Sequence, residues 1–192
     1  MAGDASMDNA PWRPTGRQLL AARGRTIPDV IAPGLLVLFC GINPSLYSAA
    51  VGHHFARPGN RFWRTLHEAG FTERVLSPFE DASLLQRRLG CTNLVHRATA
   101  RADELTRADL SEGAAALQQR VAALHPAWLA MLGVGAYRTG FGVTAARTGP
   151  QPGRVGGARV WLLPNPSGLN AHYQLADLAA EYRALRLALE DC

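Results

Sequence analysis

The apolar run 35–39, Leu-Leu-Val-Leu-Phe, has no polar position within it. A continuous run of this length, with Val and Phe in it, predicts a strand buried on both faces, as in a parallel sheet. It stops at Gly41, and a turn-rich loop follows rather than an immediate helix. A helix is predicted over 61–69, capped by Asn60 and stopped at Gly70. Ser77-Pro78-Phe79-Glu80 combines a capping box with Pro at the first helical position. That helix runs through Leu84, Leu85 and Leu89 and ends at Gly90. A short strand is expected over 91–96. An Ala/Leu-rich amphipathic helix covers about 108–124 and is stopped by His125-Pro126. A third buried strand spans 128–132, and a helix from 133 runs to about 139. A Gly/Pro/Arg loop, 142–157, leads to a fourth strand over 158–163. A second turn-rich loop covers 164–170, and a last helix spans roughly 173–189.

Strands alternating with helices predict a three-layer α/β/α fold with a short, mainly parallel central sheet. Residues 32–192 form one domain in this reading. Residues 1–31, rich in Gly, Pro and Arg, read as a tail or a loosely docked arm. There Arg13, Arg17, Arg23 and Arg25 either touch a polyanion or are simply solvated. No internal repeat is present.

In open α/β sheets, ligands bind in the crevice beyond the carboxyl ends of the strands. Two loops follow buried strands there, and both contain Asn-Pro: Gly41-Ile42-Asn43-Pro44-Ser45 and Asn165-Pro166-Ser167-Gly168-Leu169-Asn170. With both strands central and parallel, both loops emerge at one edge of the sheet. Asn43 offers donor and acceptor on a neutral side chain, and Phe55 offers a ring. Such groups suit a flat, uncharged heterocycle. The second loop is small and rigid with one apolar tip, Leu169, which fits a wedge into a base stack.

Charge supports a polyanionic partner. The chain of 192 residues carries 20 basic residues, a formal net charge of +5 and 47% hydrophobic residues. Every basic residue is Arg, and no Lys occurs. No acid lies between Asp29 and Glu68, or between Glu112 and Asp177. The two Asn-Pro loops sit in these acid-free stretches, so a shared face would be a footprint for phosphates. Without Lys, no side-chain amine can form a Schiff base. Lyase chemistry through a lysine is therefore excluded, unless the N-terminal amine takes its place. Cys40, Cys91 and Cys192 give an odd count with no C-x-x-C pair, which fits buried thiols in a reducing cytosol and no zinc or iron–sulfur centre. No metal or other cofactor is expected. No run reaches the ~18 apolar residues of a membrane span, and the N-terminus lacks the apolar core of a secretory signal. A cytoplasmic, nucleoid-associated bacterial monomer is expected.

Four segments in order, GINPS, FARPGNRFW, CTNLVHRAT and LPNPSGLN, resemble the mismatch-specific uracil and thymine DNA glycosylase family of the uracil-DNA glycosylase superfamily. The likeness runs from about residue 30 to the C-terminus. It implies a uracil-DNA glycosylase-like fold and double-stranded DNA bearing a mismatched or damaged pyrimidine as partner. It implies that Asn43 positions the attacking water and that Phe55 stacks on the flipped pyrimidine. Backbone groups near Ile42 and Phe55 would read the base edge, with Ser48 in the same pocket. Residues 165–170 would form the insertion loop, with Leu169 filling the gap left by the extruded nucleotide. Ser45, Arg57 and Arg61 are expected phosphate contacts. Two positions depart from the family pattern: Ser45 stands where bacterial members often have Gly, and Ala171 where a basic residue is common.

Asn93, in CTNLVHRAT, is the second candidate catalytic residue, contacting sugar, water or base; the alternative is a polar group tying down a strand end. An Asp would activate water better than an Asn, so Asn93→Asp is expected to preserve or raise excision. His53 and His54, with no carboxylate or Cys near them in sequence, read as loop-lining or phosphate contacts, and His96 as strand-end structure. The Trp residues fit core packing. Two rival functions stand beside the glycosylase. A nucleotide-binding α/β enzyme lacks its G-x-G-x-x-G or G-x-x-x-x-G-K-[ST] loop. A mismatch- or abasic-site-binding module without chemistry would be indifferent to Asn43→Ala.

Overall fold

The computed structural model describes residues 12–189. In chain order the elements are α1 (Gly16–Ala21), β1 (Val37–Gly41), α2 (Leu46–Val51) and α3 (Phe62–Glu68), a 3₁₀ segment (Pro78–Arg87), then β2 (Leu89–Asn93). After a short 3₁₀ turn (Ala102–Glu104) follow α4 (Arg107–Leu124), β3 (Trp128–Leu132), α5 (Val134–Phe141), β4 (Gly149–Val155), β5 (Ala158–Leu163) and α6 (Leu175–Ala188). The strands form one sheet in the order β2-β1-β3-β5-β4, parallel except for β4, which runs antiparallel to β5.

The period-2 geometry of strands divides the core between the two faces. Val37, Phe39, Trp128, Ala130, Leu132, Trp161 and Leu163 face a layer built from α3, the 3₁₀ segment and α6, where Phe62, Leu66, Leu84, Tyr182 and Leu185 are buried. Leu38, Cys40, Leu129, Met131, Val160 and Leu162 face α4 and α5, where Leu117, Val121, Ala136 and Tyr137 are buried. Fully burying each such Val, Leu or Phe contributes about 1.5–3 kcal/mol. This is the expected three-layer α/β/α architecture, and β1, β3 and β5 are its buried strands. Trp63, Trp128 and Trp161 are buried as core packing requires, whereas Trp12 is half exposed.

Several boundaries differ from the expectation. The loop after β1 contains α2, whose Ser45 cap and left-handed Gly52 stop enclose only six residues. The segment after Ser77 keeps its capping box and N-terminal Pro but is 3₁₀ rather than α. It ends at Arg88 in the left-handed region, so Leu89 and Gly90 belong to β2 and not to a helix. β2 thus lies over 89–93 instead of 91–96, and Asn93 becomes its last residue, paired with Gly41. The loop expected over 142–157 contains β4. Its exposed Gly- and Pro-containing sequence has no apolar alternation, as an edge strand held by its backbone allows.

Residues 15–31, expected as part of a tail or docked arm, are laid on the domain. Thr15 and Gln18 form a capping box for α1. Ala22 and Ile27 pack with Ala49 of α2 and with Ala98. Val30 exchanges both backbone hydrogen bonds with Cys91, at 2.9 Å each. Positions 1–11 and 190–192, Cys192 among them, lie outside the described residues.

Candidate active site

β1, β3 and β5 are parallel, so the loops after β1 and β5 emerge at the same edge of the sheet. Between them lies a cavity of about 370 Å³. Its floor is set by the ends of β1 and β2. Leu94 N–H donates to Gly41 O, and Val95 N–H to Ile42 O, so the pairing continues past the strands. The two segments run on side by side to a bridge between Ser45 and Thr99.

That run fixes Asn43. Its Nδ2 donates to Arg97 O at 3.1 Å and to Thr99 Oγ1 at 2.7 Å. Thr99 Oγ1 in turn donates to Arg101 O at 2.7 Å. Both amide hydrogens of Asn43 are thereby engaged, and its Oδ1 is the part of the amide with open lone pairs. Asn43 lines the cavity, so this oxygen can accept a hydrogen from a water there.

Phe55 is held in the left-handed region, at φ 53°, a strained backbone state for a bulky residue. Its ring stacks on buried Phe62 with centroids 4.0 Å apart. One face is backed by the core, and Phe55 also lines the cavity. The neighbouring backbone is tied down by Ser48, whose Oγ accepts the Ala56 N–H at 3.1 Å. Ser45 caps α2 by accepting the Ser48 N–H and donates its own hydroxyl to Ser48 Oγ.

Asn93 is 4% exposed at the end of β2. Its Nδ2 lies 3.5 Å from Nδ1 of His54, and the other ring nitrogen of His54 lies 3.0 Å from Pro28 O. Burial lowers the His54 pKa, so the ring is neutral. Beneath the site, Asp29 accepts from Thr92 Oγ1 at 2.8 Å and lies 3.4 Å from Arg120 Nε. Arg120 therefore belongs to a partly buried ion pair. Burial also raises the thiols of Cys40 and Cys91 above their ordinary range, which keeps both protonated and unreactive.

The loop after β5 folds on itself. Asn165 Oδ1 accepts the Ser167 N–H, and Asn170 Nδ2 donates to Asn165 O, both at 2.9 Å. Leu169 projects at the rim with 64% of its surface exposed.

A profile of the Uracil DNA glycosylase superfamily matches residues 28–189. The chain belongs to that superfamily. Among solved structures, the fold is similar to the solution NMR structure of a uracil DNA glycosylase candidate from Methanosarcina acetivorans, at a TM-score of 0.57. The two are 18% identical, and the match covers 85% of this chain and 98% of that one.

Within this glycosylase fold, the structure gathers most residues singled out from sequence. Ile42, Asn43, Ser45 and Ser48 from the first loop line the cavity, with Phe55, Arg57 and Asn93. From the second loop Asn165, Ser167, Leu169 and Asn170 reach it. Gly168 and Leu169 line a smaller depression beside it, with Arg57 and Asn60. Pro166 is buried under the loop. Two expected phosphate contacts are otherwise occupied: the Ser45 hydroxyl caps α2, and the Arg61 guanidinium is bound to backbone carbonyls. His54, read as loop-lining or a phosphate contact, is 1% exposed, which rules out the phosphate role. A carboxylate does stand beside the histidine pair: Asp81 accepts the His54 N–H and lies 3.1 Å from His53 Nδ1.

Sequence reasoning missed Thr99, Arg101 and Ile27 at the cavity. Thr99 lies six residues beyond Asn93, and its place in the same CTNLVHRAT segment was the available signal. Nothing local marked Ile27, because the arm reaches the site only through tertiary packing. Among the described residues no helix is long and apolar enough to cross a membrane.

Proposed function

We propose that the protein is a monofunctional DNA glycosylase that removes uracil, foremost from G·U mismatches in duplex DNA, and leaves an abasic site. The observation that carries this reading is the Asn43 amide. Both of its hydrogens are engaged, and its oxygen is free in a cavity that Phe55 also lines.

An N-glycosidic bond inside a duplex is out of reach, so the nucleotide must be extruded, at a cost of a few kcal/mol. A wobble pair opens more easily than a Watson–Crick pair, which gives part of the selectivity before any pocket contact. Leu169 enters the stack in place of the extruded nucleotide. Phe55 recovers stacking within the cavity, about 1–3 kcal/mol per base.

The bond between C1′ and N1 then breaks, and its electron pair leaves on the uracil. Backbone donors at the loops offset the developing anion, as an oxyanion hole does. A water held by Asn43 Oδ1 bonds to C1′ and gives up a proton, and the departing base takes up one proton from solvent. Asn is a poor base, so the step depends on the leaving group. Uracil and electron-poor pyrimidines are favoured over thymine for that reason. With no Lys in the chain, no imine to the sugar forms on a side chain and the strand stays intact.

The test is an end-labelled duplex with one G·U pair, beside A·U, G·T and single-stranded uracil controls. Each reaction is split and one half is heated in alkali. Cleavage after alkali only, strongest for G·U, is expected. No cleavage of any substrate at stoichiometric protein would leave a binding module. Cleavage without alkali would overturn the monofunctional assignment.

A further inference from the structure

The guanidinium of Arg61 makes its hydrogen bonds to the loop after β5. Nη2 donates to Ser167 O at 2.7 Å and to Asn170 O at 2.9 Å. Nη1 donates to Tyr173 O, and Nε reaches Pro166 O at 3.4 Å. The Arg61 backbone N–H also donates to Pro166 O, at 3.0 Å. These carbonyls belong to the ends and middle of one turn, and Leu169 stands at its tip. A second contact locks the same two segments together. A Cβ on Gly168 would come within 2.7 Å of Gly59 O, so the backbones touch there.

A planar fork with several fixed donors suits this task, because it can span carbonyls that point in different directions. A small polar loop has little apolar surface of its own to hold its shape. Leu169, at 64% exposure, adds little packing to it. Beyond the buried Pro166 and the Gly168–Gly59 contact, the loop's conformation before DNA arrives rests on its hydrogen bonds. The internal ones run through Asn165, Ser167 and Asn170. The external ones run through Arg61.

We propose that Arg61 is a positioning residue that holds the 165–170 loop in its wedge shape and joins it to the loop carrying Phe55. This rests on the reading of the chain as a base-flipping glycosylase. Arg61 lies six positions beyond Phe55, at the root of α3, so the same short segment presents the stacking ring and anchors the wedge. Insertion of Leu169 and capture of the base at Phe55 are thereby held in one geometry. The order left to be fixed when DNA binds is correspondingly smaller.

The test compares wild type, Arg61→Lys, Arg61→Ala and Leu169→Ala in single-turnover excision on two duplexes. One has a G·U pair, and the other has uracil opposite a pyrene nucleotide, which fills the helix from the opposite strand and replaces the wedge. Each variant is expected to be about ten- to a hundredfold slower on G·U. On the pyrene duplex each is expected to come within about threefold of wild type, since the lost geometry is supplied by the DNA. Lys is not expected to rescue, because one ammonium cannot span the carbonyls. Equal slowing on both duplexes, or no slowing on either, overturns the proposal. So does a loss confined to affinity that Lys restores, with a salt slope lower by about 1, which would make Arg61 a phosphate contact.

Amide hydrogen exchange is measured on the same variants without DNA. Faster exchange at Leu169 and Asn170 in Arg61→Lys, with β1 and β3 unchanged, is expected; unchanged loop exchange overturns the positioning role. If wild type excises uracil from neither duplex, the functional reading falls, and the exchange result alone decides whether Arg61 holds the loop.

Discussion

Nδ2 of Asn93 and Nδ1 of His54 face one another at 3.5 Å in the lining of the cavity. The far ring nitrogen of His54 lies 3.0 Å from Pro28 O, which can only accept. That nitrogen therefore carries the ring proton, and Nδ1 presents a lone pair to the amide. The pairing orients Asn93 with its nitrogen toward His54 and its oxygen toward Gly41. A neutral His54 is the condition for this arrangement, and burial supplies it by lowering the pKa.

This has a pH consequence with a definite sign. The unfolded imidazole titrates near about 6.5, and the buried one below that. As pH falls through this window the unfolded chain binds a proton that the fold refuses. Stability is thus complete above about pH 6.5 and is lost as pH falls toward the folded pKa, by up to about 1.4 kcal/mol per pH unit. His54→Gln can keep both hydrogen bonds and cannot titrate. Urea melts at pH 7.5 and 5.5 should show a larger loss for wild type than for the variant. Identical losses would remove His54 as the cause. The Asn93→Asp expectation also changes in this light. A carboxylate facing Nδ1 requires a protonated His54, so that variant should show its excision rate falling as pH rises, where wild type does not.

Thr99 holds Asn43 by accepting from Nδ2, and it is 2% exposed. Thr99→Val keeps the shape and removes the acceptor. It is expected to slow the single-turnover excision rate about ten- to a hundredfold while leaving DNA affinity unchanged. Asn43→Ala should abolish excision and spare binding. A Thr99→Val enzyme with wild-type rate and weakened binding would assign Thr99 to the DNA surface instead.

Gly41 is tightly packed where it lines the cavity. A Cβ there would lie 2.7 Å from Asn93 Oδ1 and 3.2 Å from the Phe55 ring. Neither neighbour is free to retreat: Asn93 is buried, and Phe55 leans on Phe62. Gly41→Ala should cost about 1–3 kcal/mol in a denaturant melt, as overpacking does. Excision should fall further than the stability loss explains. A variant as stable and active as wild type would mean that the pocket is looser than this geometry.

The buried strands were legible because a short apolar run, five residues at β1 and β3 and four after Arg159 in β5, is too short for a helix and fits little besides a strand covered on both faces. The cavity was legible for a related reason, since parallel strands send their loops to one edge. β4 was not, because an edge strand paired through its backbone leaves no apolar period to read. The displacement of β2, by two residues at its start and three at its end, mattered more, because Asn93 becomes the strand's last residue, paired with Gly41. Gly90 sits in that strand, where a Cβ would meet Leu35 Cδ1 at 2.5 Å and Val30 O at 2.6 Å, a tertiary approach that no local pattern encodes. The contacts of Arg61 and His54 were hidden for the same reason. A charged or titratable side chain declares its type in the sequence, but its partners here are carbonyls and amides up to 112 positions away.

Arg57 and Arg61 lie four positions apart in the same segment, yet their surroundings assign them different work. Arg57 is exposed and lines both the cavity and the neighbouring depression. Arg61 is half-buried with its donors already engaged. A side chain that neutralises a phosphate contributes about 0.9 to the slope of log affinity against log salt on duplex DNA. Arg57→Ala should therefore weaken binding to matched and mismatched duplexes alike and lower that slope by about 1. Arg61→Ala should leave the slope unchanged, because its charge is turned inward. Titrations over a series of salt concentrations measure both. An unchanged slope for Arg57→Ala would remove it from the DNA contacts, and a lowered slope for Arg61→Ala would return Arg61 to them.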